Sequence, residues 1–226
     1  IESFRETVAV AVEVARRDEL LISICVKPDR IETGYGHVEL GEALPEAGPA
    51  RAYRVHTFHE KPDSETARRY VDKGYLWNTG IFVWKVSTFL SELAEHAPEV
   101  SECLTLLDES FDAFFEAVPA CVVDRAVMER SGRVAMVEAL FSWDDVGSWE
   151  ALSRSRPSDS HGNILIGDVV TVDGSGNIAF ADHGNIVLFG VDDLVVVRTG
   201  DTTLVMPRDR APYLKSLMTA LEGNEE

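Results

Sequence analysis

The 226 residues carry 39 acidic against 21 basic side chains, a formal net charge of −18, which disfavours nucleic acid and anionic membrane as partners. Hydrophobic residues make up 45%, enough for a real core, and no apolar run approaches the length needed to span a membrane. Cys25, Cys103 and Cys121 are odd in number and widely spaced, unlike a disulfide framework or a zinc site, so a reducing cytoplasm is expected.

Residues 1–17 have a helical pattern, with Phe4, Val8, Val12 and Ala15 on one face. No initiator Met precedes it, and a piece of a longer protein is expected. The run LLISICV at 20–26 suits a strand buried on both faces. The Gly-rich turn Glu32-Thr33-Gly34-Tyr35-Gly36 leads into a short strand at 37–40, and turn-rich residues 41–50 precede a strand over 51–58. Pro62 keeps Lys61 out of right-handed helical geometry, which predicts extended backbone there.

Asp63 or Ser64 can cap a helix running to about Lys73, with Gly74 as its stop. A strand over 77–86 follows, then a helix capped by Ser87 with Phe89, Leu90 and Leu93 on one face. Residues 99–131 read as short helices broken near Pro119, and 134–140 as a strand. Strands alternating with helices predict an α/β fold with a mostly parallel sheet over residues 1–155. From 156 to 226 short β runs are punctuated by Gly, Asp and Asn, and a last helix is expected over 211–221. Gly162-Asn163-Ile164, Gly176-Asn177-Ile178 and Gly184-Asn185-Ile186 recur at uneven spacing, the pattern of a solenoid-like β tail or of plain turns between strands.

Few residues combine into chemistry. Lys61, at the end of a strand, can place an ammonium against a phosphate or serve as a surface lysine in a turn. Glu60 can accept hydrogen bonds from sugar hydroxyls, although alternation along a strand points it away from Lys61. Asn78, in Trp77-Asn78-Thr79-Gly80, offers donors and an acceptor to vicinal hydroxyls, or forms a turn before a buried strand. Around Gly34-Tyr35-Gly36 the backbone can approach a ligand, with the Tyr35 ring available to pack on it. Of Asp144 and Asp145, one can cap a helix and the other can hold Mg²⁺; Asp145 is assigned the metal. Asp124 is read as a helix cap and Glu129, five residues on, as a solvated or hydrogen-bonded carboxylate, with a substrate contact as the minority reading.

In order, the segments 32–39, Phe58-His59-Glu60-Lys61-Pro62, 77–84, 123–129 and Trp143-Asp144-Asp145-Val146-Gly147-Ser148-Trp149 resemble the sugar-1-phosphate nucleotidylyltransferases, most closely the mannose-1-phosphate guanylyltransferases. The resemblance implies a Rossmann-like nucleotidyltransferase domain with a β-rich tail, and transfer of GMP from GTP to mannose-1-phosphate. It also implies Lys61 on the sugar phosphate, with Gly34, Tyr35, Gly36, Glu60, Asn78 and Thr79 on the substrate. Asp145 would hold Mg²⁺. Apart from the resemblance, the exposed β edges and final helix of the tail offer dimer surfaces, because unpaired edges are usually covered, so a homodimer is expected. The family's N-terminal Gly-rich segment, which cradles the triphosphate, is not among these residues. The 226 residues alone are therefore expected to be inactive. Another hexose or nucleotide, or a non-catalytic subunit of the same fold, are the alternative expectations.

Overall fold

The computed structural model describes residues 1–147, 149–214 and 217. They form two compact units, Ile1–Trp143 and the chain from Asp144 onward, whereas composition places the boundary at 155/156. The α/β class and the β-rich tail are as expected. Among the described residues no helix is long and apolar enough to cross a membrane.

The first unit opens with α1 (Glu2–Asp18), then β1 (Leu21–Val26), β2 (His37–Ala43) and β3 (Ala52–His59). Next come α2 (Ser64–Asp72), β4 (Leu76–Val83), α3 (Val86–His96), α4 (Pro98–Ser101) and a 3₁₀ stretch, Glu102–Asp108. After them lie α5 (Phe111–Ala117), a π-turn over Asp124–Met128 and β5 (Val134–Glu138). The short pieces between 98 and 128 and the break before Pro119 follow the sequence pattern. Asp63 caps α2, its Oδ1 accepting the Thr66 N–H at 2.8 Å. Ser87 caps nothing: Lys85 occupies the cap position of α3, with no side-chain hydrogen bond.

The strands close in the order β1-β4-β2-β3-β5, with β5 returning to β1. Here the sheet departs from expectation, because only the β1–β5 pairing is parallel and the other four are antiparallel. The crossover from β3 through α2 to β4 does join strands running the same way. However, β2 lies between them and is antiparallel to both.

All six residues of β1 are buried, and its alternation serves two layers. Ile22 and Ile24 pack with Val10, Ala11, Val14 and Ala15 of α1. Leu21 and Cys25 face the opposite cluster, which holds Leu93 and residues 126–128. The buried stripe of α1 is thus Thr7, Val10, Ala11, Val14 and Ala15, while Phe4 and Val12 are exposed, contrary to the face read from the sequence. Small side chains let the helix axis come close to the sheet; Phe4 is left at the rim, its ring centroid 5.3 Å from that of Phe141.

The second unit contains α6 (Trp149–Ser155), β6 (Ile164–Val172), β7 (Ile178–Phe189), β8 (Leu194–Thr199) and β9 (Thr202–Pro207). β6, β7 and β8 stack in parallel and β9 closes the sheet antiparallel. Asn163 and Asn177, both buried, form a ladder at the start of successive coils. The main-chain N–H of Asn177 donates to Asn163 Oδ1 at 2.9 Å, and the N–H of Leu194 donates to Asn177 Oδ1 at 3.0 Å. Gly167 turns a corner at φ 87°, where a Cβ would lie 2.0 Å from the Ala181 carbonyl oxygen. A 3₁₀ turn spans Arg208–Tyr213; most of the expected final helix lies outside the described residues.

Candidate functional site

Register alone brings the polar residues of the first unit into line. β2 pairs His37 with His59 of β3 on one side and with Trp77 of β4 on the other. One step further along, Gly36 therefore lies between Glu60 and Asn78, and the Asn78 N–H donates to the Gly36 carbonyl at 2.8 Å. Although β3 and β4 run the same way, β4 begins at the level where β3 ends, so the end of one meets the start of the other. The row is tight: a Cβ on Gly36 would lie 3.0 Å from Glu60 Oε2 and 3.2 Å from Asn78 Cβ.

Lys61 joins this row by an unexpected route. Its backbone is left-handed, at φ 51°, rather than extended. With the strand ended at His59, this twist cancels the alternation that would separate it from Glu60. The Lys61 ammonium pairs with Glu60 Oε1 at 2.5 Å; the lysine side chain is 57% exposed and the glutamate 7%. A strained non-glycine residue before a proline is held only where its surroundings demand it.

The Asn78 amide is firmly oriented. Its Oδ1 accepts from Ser23 Oγ at 2.8 Å and from the Gly80 N–H at 3.0 Å, and its Nδ2 donates to Asp124 Oδ1 at 3.0 Å. The Gly80 bond depends on a bulge. β1 pairs Ile24 with Ile81 but Cys25 with Asn78, leaving Thr79 and Gly80 as extra residues, and Gly80 takes φ 73°. Glu129 Oε1 accepts the Glu60 N–H at 2.7 Å. Burial raises the Asp124 carboxyl above its ordinary range, and the charge of Glu60 raises it further. Asp124 is not the side-chain cap read from the sequence.

Other expected site residues are turned to packing. The Thr79 hydroxyl donates to the Ile24 carbonyl at 2.7 Å and is nearly buried. Tyr35 is no open platform: its ring lies edge-on between Trp77 and Trp143, 5.2 Å from each, and its hydroxyl accepts from Arg30 Nη2 at 3.1 Å. The Gly34 N–H donates to Glu32 Oε1 at 3.1 Å, closing the turn. Behind them His37 is fully buried. Trp77 Nε1 donates to its Nε2 at 3.2 Å, which leaves its proton on Nδ1, 3.0 Å from the Tyr35 carbonyl. Burial lowers the His37 pKa and keeps the ring neutral.

Asp144 and Asp145 belong to the second unit. Arg154 grips Asp144 with a two-pronged contact, Nε to Oδ2 at 2.5 Å and Nη2 to Oδ1 at 3.1 Å. Asp145 is exposed and folded over Gly147, where a Cβ would lie 3.1 Å from Oδ2. With Asp144 neutralised by the guanidinium, Asp145 is the better of the two as an oxygen ligand. A single carboxylate suits Mg²⁺, which keeps several waters and shares phosphate oxygens.

Sequence reasoning missed Ser23, and undervalued Asp124 and Glu129. Ser23 had a signal, as the single hydroxyl in the buried run LLISICV. Asp124 and Glu129 had theirs in segment 123–129, but an α-helical reading sets them about 140° apart.

At one level of a mixed, closed sheet the α/β unit thus gathers a lysine, a carboxylate and a fixed amide around a glycine. Residues 2–161 match the family described as nucleotidyl transferase, and the chain belongs to that family. Residues 167–221 match the domain described as MannoseP isomerase/GMP-like beta-helix. The chain is 34% identical to the mannose-1-phosphate guanylyltransferase of Klebsiella pneumoniae, over 98% of this chain and 49% of that protein. It is also 34% identical to the alginate biosynthesis protein AlgA of Pseudomonas fluorescens, over 100% of this chain and 49% of that protein. A solved structure of a mannose-1-phosphate geranyltransferase from Thermus thermophilus superposes with a TM-score of 0.84 at 34% identity, covering 98% of this chain and 65% of that one. The chain spans about half the length of the curated relatives it matches.

Proposed function

We propose that the protein carrying this chain transfers GMP from GTP to mannose-1-phosphate, yielding GDP-mannose and pyrophosphate, and that this chain supplies the sugar-phosphate side. The observation that carries the reading is the Glu60–Gly36–Asn78 row with Lys61 beside it. Glu60 accepts hydroxyl protons, Asn78 donates to a hydroxyl oxygen, and Gly36 leaves room for the ring. The Lys61 ammonium exchanges its Glu60 partner for the sugar phosphate, screening its charge as an oxygen of that phosphate attacks the α-phosphorus of GTP in line. Positioning and charge screening supply the acceleration, without a covalent enzyme intermediate. Asp145 would hold Mg²⁺, which supplies further charge neutralisation on the phosphates.

Cytoplasmic location and a homodimer complete the proposal. The β6–β7 ribbon supports the dimer, since Val170 faces Val187 and Val172 faces Phe189, and all four are substantially exposed.

The test is pyrophosphate release by the natural full-length protein, with GTP and mannose-1-phosphate compared against glucose-1-phosphate and against ATP or UTP. Preference for the first pair is expected. Equal or better turnover with another sugar or nucleotide would move the assignment within the family, and no turnover with any pair would support a non-catalytic subunit. The 226 residues alone are expected to release none.

A further inference from the structure

The π-turn at 124–128 achieves what an α-helix could not. At 3.6 residues per turn, residues five apart stand about 140° from each other around the axis. Here the Glu129 N–H closes on the Asp124 carbonyl at 2.8 Å, an i to i+5 bond. The wider turn lets both carboxylates act on the same row: Glu129 on the Glu60 main chain, Asp124 on the Asn78 amide. A carboxylate only accepts, so Asp124 dictates which end of the amide faces it. Ser23 and Gly80 fill the other end, and one Nδ2 proton is left to donate.

This arrangement is a liability for stability alone. A half-buried carboxylate beside the carboxylate of Glu60 is electrostatically unfavourable, as its raised pKa reflects. An asparagine in its place would satisfy Asn78 without the charge.

We propose that Asp124 is a positioning residue of the acceptor site, locking the Asn78 amide so that its remaining N–H points to a hexose hydroxyl, while Glu129 holds the Glu60 main chain alongside. The proposal rests on the reading of Glu60, Gly36 and Asn78 as the hexose side.

The test uses the full-length protein with Asp124→Ala, Asp124→Asn and Glu129→Gln. Asp124→Ala is expected to raise KM for mannose-1-phosphate about tenfold, the worth of one charge-assisted hydrogen bond. KM for GTP should stay within about twofold, since that interaction is made elsewhere. Asp124→Asn, whose carbonyl can still accept, is expected to recover most of the loss, and Glu129→Gln to show a smaller rise of the same kind. Unchanged sugar KM in Asp124→Ala, or equal rises in both KM values with a lowered Tm, would overturn the proposal.

A second readout does not need turnover. In ¹⁵N spectra the Asn78 side-chain amide should shift and exchange faster in Asp124→Ala and stay near its original position in Asp124→Asn. An amide unmoved by Asp124→Ala overturns the proposal. A parent protein inactive on GTP and mannose-1-phosphate instead counts against the functional reading, and the amide spectra still decide the role of Asp124.

Discussion

Gly36 and Glu60 approach so closely that a single methyl group on Gly36 would lie 3.0 Å from the glutamate oxygen. The same methyl would meet Asn78 on the other side, so neither neighbour can yield without disturbing the row. Gly36→Ala is therefore expected to raise KM for the sugar phosphate by about tenfold or more, through displacement of a hydrogen-bonding group. Its stability cost should be about 1–3 kcal/mol, the usual range for overpacking. Steady-state kinetics with urea unfolding checks both; a variant with unaltered KM would remove Glu60 and Asn78 from the substrate.

Lys61 combines strain and charge, and two substitutions separate them. Both Lys61→Ala and Lys61→Gly remove the ammonium, and each is expected to lower kcat/KM on the order of 100-fold. Only glycine tolerates φ 51° freely, so Lys61→Gly should relieve about 1 kcal/mol that Lys61→Ala retains. Chemical denaturation should show glycine as the more stable of two equally impaired variants. If Lys61→Gly keeps full activity, Lys61 is only a surface lysine in a turn.

The site was legible in pieces because residue types carry chemistry, while their meeting depends on register. Glu60, Lys61 and Asn78 stand out in the sequence, but nothing local says that β4 starts where β3 ends. Strand direction failed for the same reason: alternating helices and strands suggest parallel neighbours, yet β2 inserts between β3 and β4. The face of α1 was misread because the large Phe4 draws the apolar stripe towards Val8 and Val12, whereas the valines at 10 and 14, with Thr7, Ala11 and Ala15, make the face that packs on the sheet. Asp124 and Glu129 stand out in the sequence as a pair, but the α-helical period sets them apart and only the π-turn unites them. LLISICV, by contrast, needed only its own apolar run to be read as a strand buried on both faces, as β1 is.

His37 provides a pH test of the layer behind the site. Its pKa is lowered in the folded protein by burial, so the unfolded chain binds more protons as pH falls below about 6.5. Stability from this group is fully present above that pH and declines on acidification, by about 1.4 kcal/mol per pH unit until the folded ring itself takes a proton. Urea unfolding of parent and His37→Gln between pH 7 and 5 isolates the effect. The variant should be weaker at pH 7 yet lose less on acidification; parallel profiles would show that His37 does not titrate with unfolding.

The open β6–β7 ribbon allows a direct test of the proposed dimer. Phe189 is 71% exposed and sits beside Val172, so a charge there is tolerated by the monomer. Phe189→Asp is expected to halve the mass seen by light scattering while changing stability by about 0.5 kcal/mol or less, as for other surface positions. A parent that is already monomeric, or a variant that remains dimeric, would place any partner elsewhere.

The three Gly-Asn-Ile repeats look alike in sequence but differ in structure, and their substitutions should differ accordingly. The Asn177 side chain donates to Asn163 Oδ1 at 3.1 Å and to the Val191 carbonyl at 2.8 Å, and accepts from the Leu194 N–H. Removing it strands two part-buried backbone groups on the next coil, the Val191 carbonyl and the Leu194 N–H, and loosens the tie to Asn163, at a cost of roughly 3 kcal/mol. Asn185, in the third repeat, is exposed on β7 and should cost about 0.5 kcal/mol or less as alanine. Comparing Asn177→Ala with Asn185→Ala by calorimetry therefore distinguishes a stacked ladder from a string of turns. Equal effects would mean that the buried amides do not hold the coils together.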